Sequence, residues 1–255
     1  MTSLLGDTGH APHPSKQIDP QTVLFTACFS VVAATDPHTL SRVLEPFTKR
    51  AITPSYVHAE RAGANGELMP ARYQPFRVDE FAVGQVTHDV ASQLATFSDV
   101  FAADDKGLSL NPRLATPDTR TRAVEEILIQ FRDDGRIKGW RNEHYPVSES
   151  FYAPPLLTIE RAAVPLLGTM GYGVHLNGVV VKDGRMHMWI GKRSMQKPTG
   201  PGKLDQVVAG GLPVGVSVRD NLIKECAEEA GMSAELAKSA VPVGTISYLT
   251  ERSEG

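Results

Sequence analysis

Cysteine is nearly absent: Cys28 and Cys226 are the only two in 255 residues. Each lies within an apolar pattern, which excludes a disulfide framework and predicts buried, reduced thiols. Long hydrophobic runs are missing too. No stretch approaches the ~18 consecutive apolar residues of a membrane-spanning helix, and the N-terminus does not show the charged-then-apolar order of a secretory leader. A basic excess is also lacking, since 26 Lys and Arg face 29 Asp and Glu for a net charge of −3. That balance argues against a general nucleic-acid binder. Together these absences predict a cytoplasmic protein whose partners include neither a membrane nor a nucleic acid. What is present suffices for a core. Hydrophobic residues make up 41% of the chain, and its length suits one large or two small domains.

The most informative stretch runs from Gly210-Gly211-Leu212-Pro213-Val214-Gly215-Val216-Ser217 into an acidic helix expected over Val218 to Gly231. At ~100° per residue, Glu225, Glu228 and Glu229 share about a third of the circumference. Ile223, Cys226, Ala227 and Ala230 fall on the other side, as a core-facing stripe would. Like charges at these spacings cost a few tenths of a kcal/mol per pair, so the cluster does nothing for an isolated helix. A hard divalent cation turns that repulsion into binding, because Mg2+ takes oxygen ligands and keeps waters for substrate phosphates. The alternative is a solvated acidic face. The glycine-rich entry and the Ala230-Gly231 stop favour the metal.

Along the chain, residues 1–20 are rich in Gly, Pro, His and Ser without a period and read as a disordered tail. Val23 to Ala34 reads as a buried strand. Asp36-Pro37 then opens a helix carrying Leu40, Val43, Leu44 and Phe47, and Ser55 to Arg61 suits a return strand. From residue 70 the character changes. Tyr73 to Val78 reads as irregular, Val86 to Phe101 as a helix, and Thr116-Pro117-Asp118 caps a stronger helix with Val124, Ile127, Leu128 and Phe131 on its apolar face. Trp140 beside Arg141 suits either a pocket wall or simple ring burial. Beyond residue 160 strands dominate. Tyr172 to Val181 and Met186 to Ile190 flank an Asp183-Gly184 turn. Lys192, Arg193, Lys197 and Lys203 form a basic loop suited to an anionic diphosphate, with a merely solvated loop as the alternative. Trp189 is a candidate stacking surface for a ring.

Gly210, followed by Lys224-Glu225-Cys226-Ala227-Glu228-Glu229-Ala230-Gly231-Met232, resembles the Nudix box, the signature of Mg2+-dependent hydrolases of nucleoside and other diphosphates. The resemblance implies that Glu225, Glu228 and Glu229 are catalytic and hold Mg2+ or Mn2+. Lys224 stands where the family has Arg, keeping a charge to orient a carboxylate but losing the bidentate fork. Val216 stands where the box has its first Glu and cannot ligate a metal. Flanking segments narrow the resemblance: Glu160-Arg161, Tyr172 to Gly178, Trp189 to Ser194, and Pro201 to Asp205. They are similar to the Nudix subfamily found fused to thiamine pyrophosphokinase in some fungi and standing alone in bacteria and plants. That implies hydrolysis of thiamine diphosphate, or its oxidised analogues, to the monophosphate. The subfamily often lacks the first box Glu.

Four segments are therefore expected. After the tail, residues 21–69 resemble the first half of an ACT domain, a module that often binds amino acids, with a plain βαβ packing unit without ligand as the alternative, and residues 70–160 resemble the subfamily's N-terminal region. Residues 161–255 form a Nudix domain that reads as incomplete at its C-terminus, since only Ser233 to Gly255 follow the box. The expected fold class is α+β, a Nudix-type mixed sheet with helices behind a mixed N-terminal region. An open sheet edge would favour weak stability or a homo-oligomer. The alternative function is a non-catalytic, degenerate Nudix protein with an ACT-like regulatory part.

Overall fold

The structure is a computed structural model and describes residues 23–34, 72–183, 185–197 and 200–251. The expected tail, and the helix and return strand of the ACT-like stretch, lie outside the described residues. The fold is α+β.

Residues 73–110 build a small sheet from β2 (Tyr73–Val78), β3 (Phe81–Thr87), β4 (Phe101–Asp104) and β5 (Gly107–Leu110), in the order β3-β2-β5-β4. Two expectations need correcting here. Tyr73 to Val78 is a strand, and Val86 belongs to its hairpin partner. The turn between them falls at Asp79, with φ of 52°. Phe76 and Val78 are fully buried while Pro75 and Arg77 are only partly so, a period of two that the proline obscures in the sequence. Helix α1 (His88–Ala95) starts only after Thr87, whose hydroxyl accepts the Val90 amide. Its inward face carries the buried Val90 and Leu94.

Helix α2 (Pro117–Asp133) starts where the sequence places it. Thr116 and Thr119 cap it reciprocally, and Val124, Ile127, Leu128 and Phe131 are buried. Its buried Arg120 donates to the Leu114 carbonyl at 2.8 Å and grips both carboxylate oxygens of Asp79, at 2.8 and 2.9 Å. One side chain thus joins the helix to the β2–β3 turn. Arg120→Ala is expected to lower stability by about 2 kcal/mol, the scale of hydrogen bonds to a charged group, as read by urea denaturation. On the other side of α2 lies a ribbon of β6 (His144–Val147) and β7 (Leu157–Glu160), pinned to the helix where Thr121 accepts the Thr158 amide at 2.9 Å.

A 3-10 turn (Arg161–Ala163) and the short α3 (Val164–Leu167) lead into the second sheet. Its spine is β8 (Met170–Lys182). β12 (Val208–Gly211) and β9 (Arg185–Met188) pair antiparallel with β8, as the Asp-Gly turn predicts for the latter. β1 (Val23–Ala34) pairs parallel with β8, and β13 (Val241–Glu251) runs antiparallel beyond it. The first strand therefore lies inside the sheet that carries the glycine pair. Among the described residues β13 and β12 end the sheet on opposite sides. Helices α4 (Val218–Ala230) and α5 (Ala234–Lys238) accompany this sheet over a core of Val174, Leu176, Val208, Leu222, Cys226 and Ala237.

Candidate active site

Ser217 caps α4 by accepting the Asp220 amide at 3.1 Å, and Gly231 ends it in the left-handed conformation, with φ of 60°. The helix thus occupies the expected span, but its faces differ from the sequence reading. Asn221, Leu222 and Cys226 are the buried residues, Ile223 is half-buried, and Ala227 and Ala230 are exposed. The inward face is instead rotated towards Asn221, Glu225 and Glu229, which all meet β12. That rotation carries Glu225 partly inward, leaving its side chain only 12% exposed.

The glycine pair explains how Glu225 fits. An alanine methyl at Gly210 would overlap the Glu225 carboxyl, and one at Gly211 would overlap the Tyr145 hydroxyl. Absent side chains at 210 and 211 therefore let a carboxylate from α4 and a phenol from β6 lie directly on the strand. Asn221, fully buried, donates to the Gly211 carbonyl at 2.9 Å and locks the helix to the same point, while its own side-chain oxygen has no partner among the described residues. Glu229 accepts the Ala209 amide at 3.0 Å, so a second box carboxylate is fixed to β12.

Lysines sit among these carboxylates. Lys224 spans Glu225 at 3.4 Å and Glu228 at 3.8 Å, and Lys197 reaches Glu229 at 3.4 Å. Burial, the largest influence, pushes the Glu225 carboxyl up; Lys224 opposes this and Glu229 and Glu228 reinforce it. Among the described residues no three carboxylate, imidazole or thiol groups converge as a ready metal cage. The donor set is nonetheless oxygen-only and partly desolvated, which suits a hard divalent cation taking over the place of the lysine ammoniums.

The expected basic loop divides. Lys197 reaches the box. Arg193 is engaged by Asp205 at 2.6 Å and helps close the loop between β10 (Gly191–Lys192) and β11 (Leu204–Asp205). Lys192 and Lys203 are exposed on that ribbon. Trp189, 62% exposed, lies along Gly178. At ~3.3 Å per residue, Gly178 is about 17 Å along β8 from Gly173, which pairs with Gly211. Trp140 is half-buried against the first core, its ring edge donating to Asn142 at 2.9 Å, which is the burial reading rather than a pocket wall.

Three residues near the box went unassigned in the sequence: Glu143, Tyr145 and Arg161. Glu160 organises them. Its buried carboxylate accepts the amides of Arg141 (3.0 Å), Glu143 (3.2 Å) and Ala162 (3.2 Å), stapling the 141–143 turn to the 3-10 turn. Glu143 then holds Arg161 at 2.7 Å, and the guanidinium lies 5.6 Å from the Tyr145 ring centre. Burial drives the Tyr145 phenol far up, so it stays protonated. The one available signal was the Glu160-Arg161 pair, quoted above without a role.

A family described as a domain of unknown function (DUF4743) matches residues 55–171. The protein named Nudix hydrolase 24, chloroplastic, of Arabidopsis thaliana is 49% identical over 177 residues, which cover 69% of this chain and 48% of that protein. Nudix hydrolase 20, chloroplastic, from the same plant is 47% identical over 184 residues, covering 69% and 49%. An uncharacterized protein of Saccharomyces cerevisiae is 30% identical over 176 residues, covering 67% and 50%. The chain spans about half the length of these curated relatives. The chloroplastic names of both plant proteins overturn the cytoplasmic expectation, which rested on absences alone. Likeness to two named Nudix hydrolases at nearly half of the shared positions supports placing this chain in the Nudix family.

Proposed function

We propose that this chain is a divalent-metal-dependent hydrolase of a small-molecule diphosphate, with thiamine diphosphate or an oxidised analogue cleaved to the monophosphate. The observation that carries the reading is the seating of α4: Glu225 folds across Gly210 while the Ala209 amide fixes Glu229. Glu225, Glu228 and Glu229 would hold Mg2+ or Mn2+, which when bound neutralises the phosphates and lowers the pKa of a bound water. Lys224 orients Glu225 and Glu228, standing within 4 Å of both. Lys197 steadies Glu229 and is the loop cation best placed to meet a phosphate. Lys192 and Lys203 extend the positive rim. Arg193 steadies the loop through Asp205, and Trp189, exposed along Gly178, is the candidate stacking surface for a ring. The end strand β13 offers an edge through which two copies could pair.

A second reading is a non-catalytic relative, favoured by Val216 at the position of the first box carboxylate. Metal affinity does not separate the two readings, because the remaining glutamates serve both. Turnover does. Product analysis on a panel of diphosphates with Mg2+ or Mn2+ is expected to show release of phosphate and thiamine monophosphate from thiamine diphosphate. No turnover on any member would leave the non-catalytic reading standing.

A further inference from the structure

We infer that Arg161 is a phosphate-binding residue of the box site, supplied by the region that matches the domain of unknown function. The inference rests on the diphosphate reading above and adds a residue, and a role for residues 55–171, that the box itself does not contain. Among the described residues of that region, Arg161 is brought against the glycine pair: its guanidinium carbon lies 3.4 Å from where a methyl on Gly211 would stand. It is held rather than free to wander. Glu160 staples the two turns, Glu143 takes one guanidinium nitrogen at 2.7 Å, and the Tyr145 ring backs the plane.

A guanidinium has five N–H donors in a fixed fork. Among the described residues, Glu143 through Nη1 is the side chain's one hydrogen-bond partner. The side chain is 39% exposed, so it remains open to solvent beside the strand. Ion pairing with Glu143 alone would not require this placement, because a surface arginine could pair there without lying on Gly211. Glu225, meanwhile, is near enough to influence the guanidinium. The result is an oriented cation beside carboxylates suited to a metal, the combination that a metal-bound diphosphate requires on its uncoordinated oxygens.

Inorganic pyrophosphate is the probe, with and without Mg2+, read by isothermal titration calorimetry and by the shift in melting temperature. Arg161→Gln is expected to weaken pyrophosphate binding by roughly 10- to 100-fold, the equivalent of one charge-assisted contact. Arg161→Lys is expected to recover only part of this, because its ammonium can keep the pair with Glu143 but not the fork. Should the Gln variant fail to fold, the Lys variant answers alone: a weakened affinity at unchanged melting temperature supports the assignment. Wild-type affinity in either folded variant, or no pyrophosphate binding by the wild-type protein, overturns it. Binding that depends on Arg161 in a protein without turnover would sink the hydrolase reading while leaving this one intact. Turnover with an unchanged KM in Arg161→Gln would do the reverse.

Discussion

Gly211→Ala is expected to melt roughly 4–8 °C lower and to lose most of its hydrolytic activity. The added methyl would overlap the Tyr145 hydroxyl, and Tyr145, only 5% exposed, has no room to retreat. Overpacking of this kind costs about 2 kcal/mol, which for a chain of this size corresponds to that fall in melting temperature. Gly210→Ala makes an informative contrast. Its overlap is with the end of the flexible Glu225 side chain, which can swing aside. That variant should therefore keep its melting temperature and lose turnover. Thermal melts and phosphate release on the two proteins test the geometry directly. A Gly211→Ala protein that melts like the wild type would show that the phenol is not pinned to the strand.

Glu229→Gln is expected to reduce turnover by ~100-fold or more, beyond the 10- to 100-fold typical of a group that merely supports a metal ligand. An amide at this position keeps an oxygen to accept the Ala209 amide, so folding should be nearly unaffected and the loss should appear in activity and Mg2+ affinity. Glu225→Gln should be just as inactive. Its stability without added metal is expected to match or exceed the wild type, because a neutral amide replaces a desolvated charge. Metal titrations alongside steady-state rates would decide this. Unchanged turnover in either variant would remove the assignment of these glutamates.

Local chemistry was legible in the sequence, and distant convergence was not. Ser217, Gly231 and the charge pattern between them mark α4 because caps and periodicity act within a few residues. The same holds for Thr116 at the start of α2. Which side of α4 turns inward was read only in part, since Asn221 is buried for the Gly211 carbonyl rather than for hydrophobicity. Tyr145, Glu143 and Arg161 approach the box across many intervening residues, and no spacing rule connects them to it. The β2–β3 hairpin was missed for a different reason. Pro75 and a turn at Asp79 without glycine hide an alternation that the buried Phe76 and Val78 reveal. Val23–Ala34 was recognised as a strand, but register between strands so far apart in sequence leaves no local mark.

That first strand also dictates when the protein can fold. Phe25 pairs with Met170 and Val23 with Glu251, so this strand waits for partners made much later in the chain. Bringing such remote partners together carries a loop-closure cost before any contact repays it, which slows assembly. During synthesis residues 73–167 can gather their own core first, while β1 stays without its neighbours until β8 and then β13 emerge. A nascent chain therefore presents an unpaired β-strand while the residues between these partners are made, the interval in which a chaperone would have most to do.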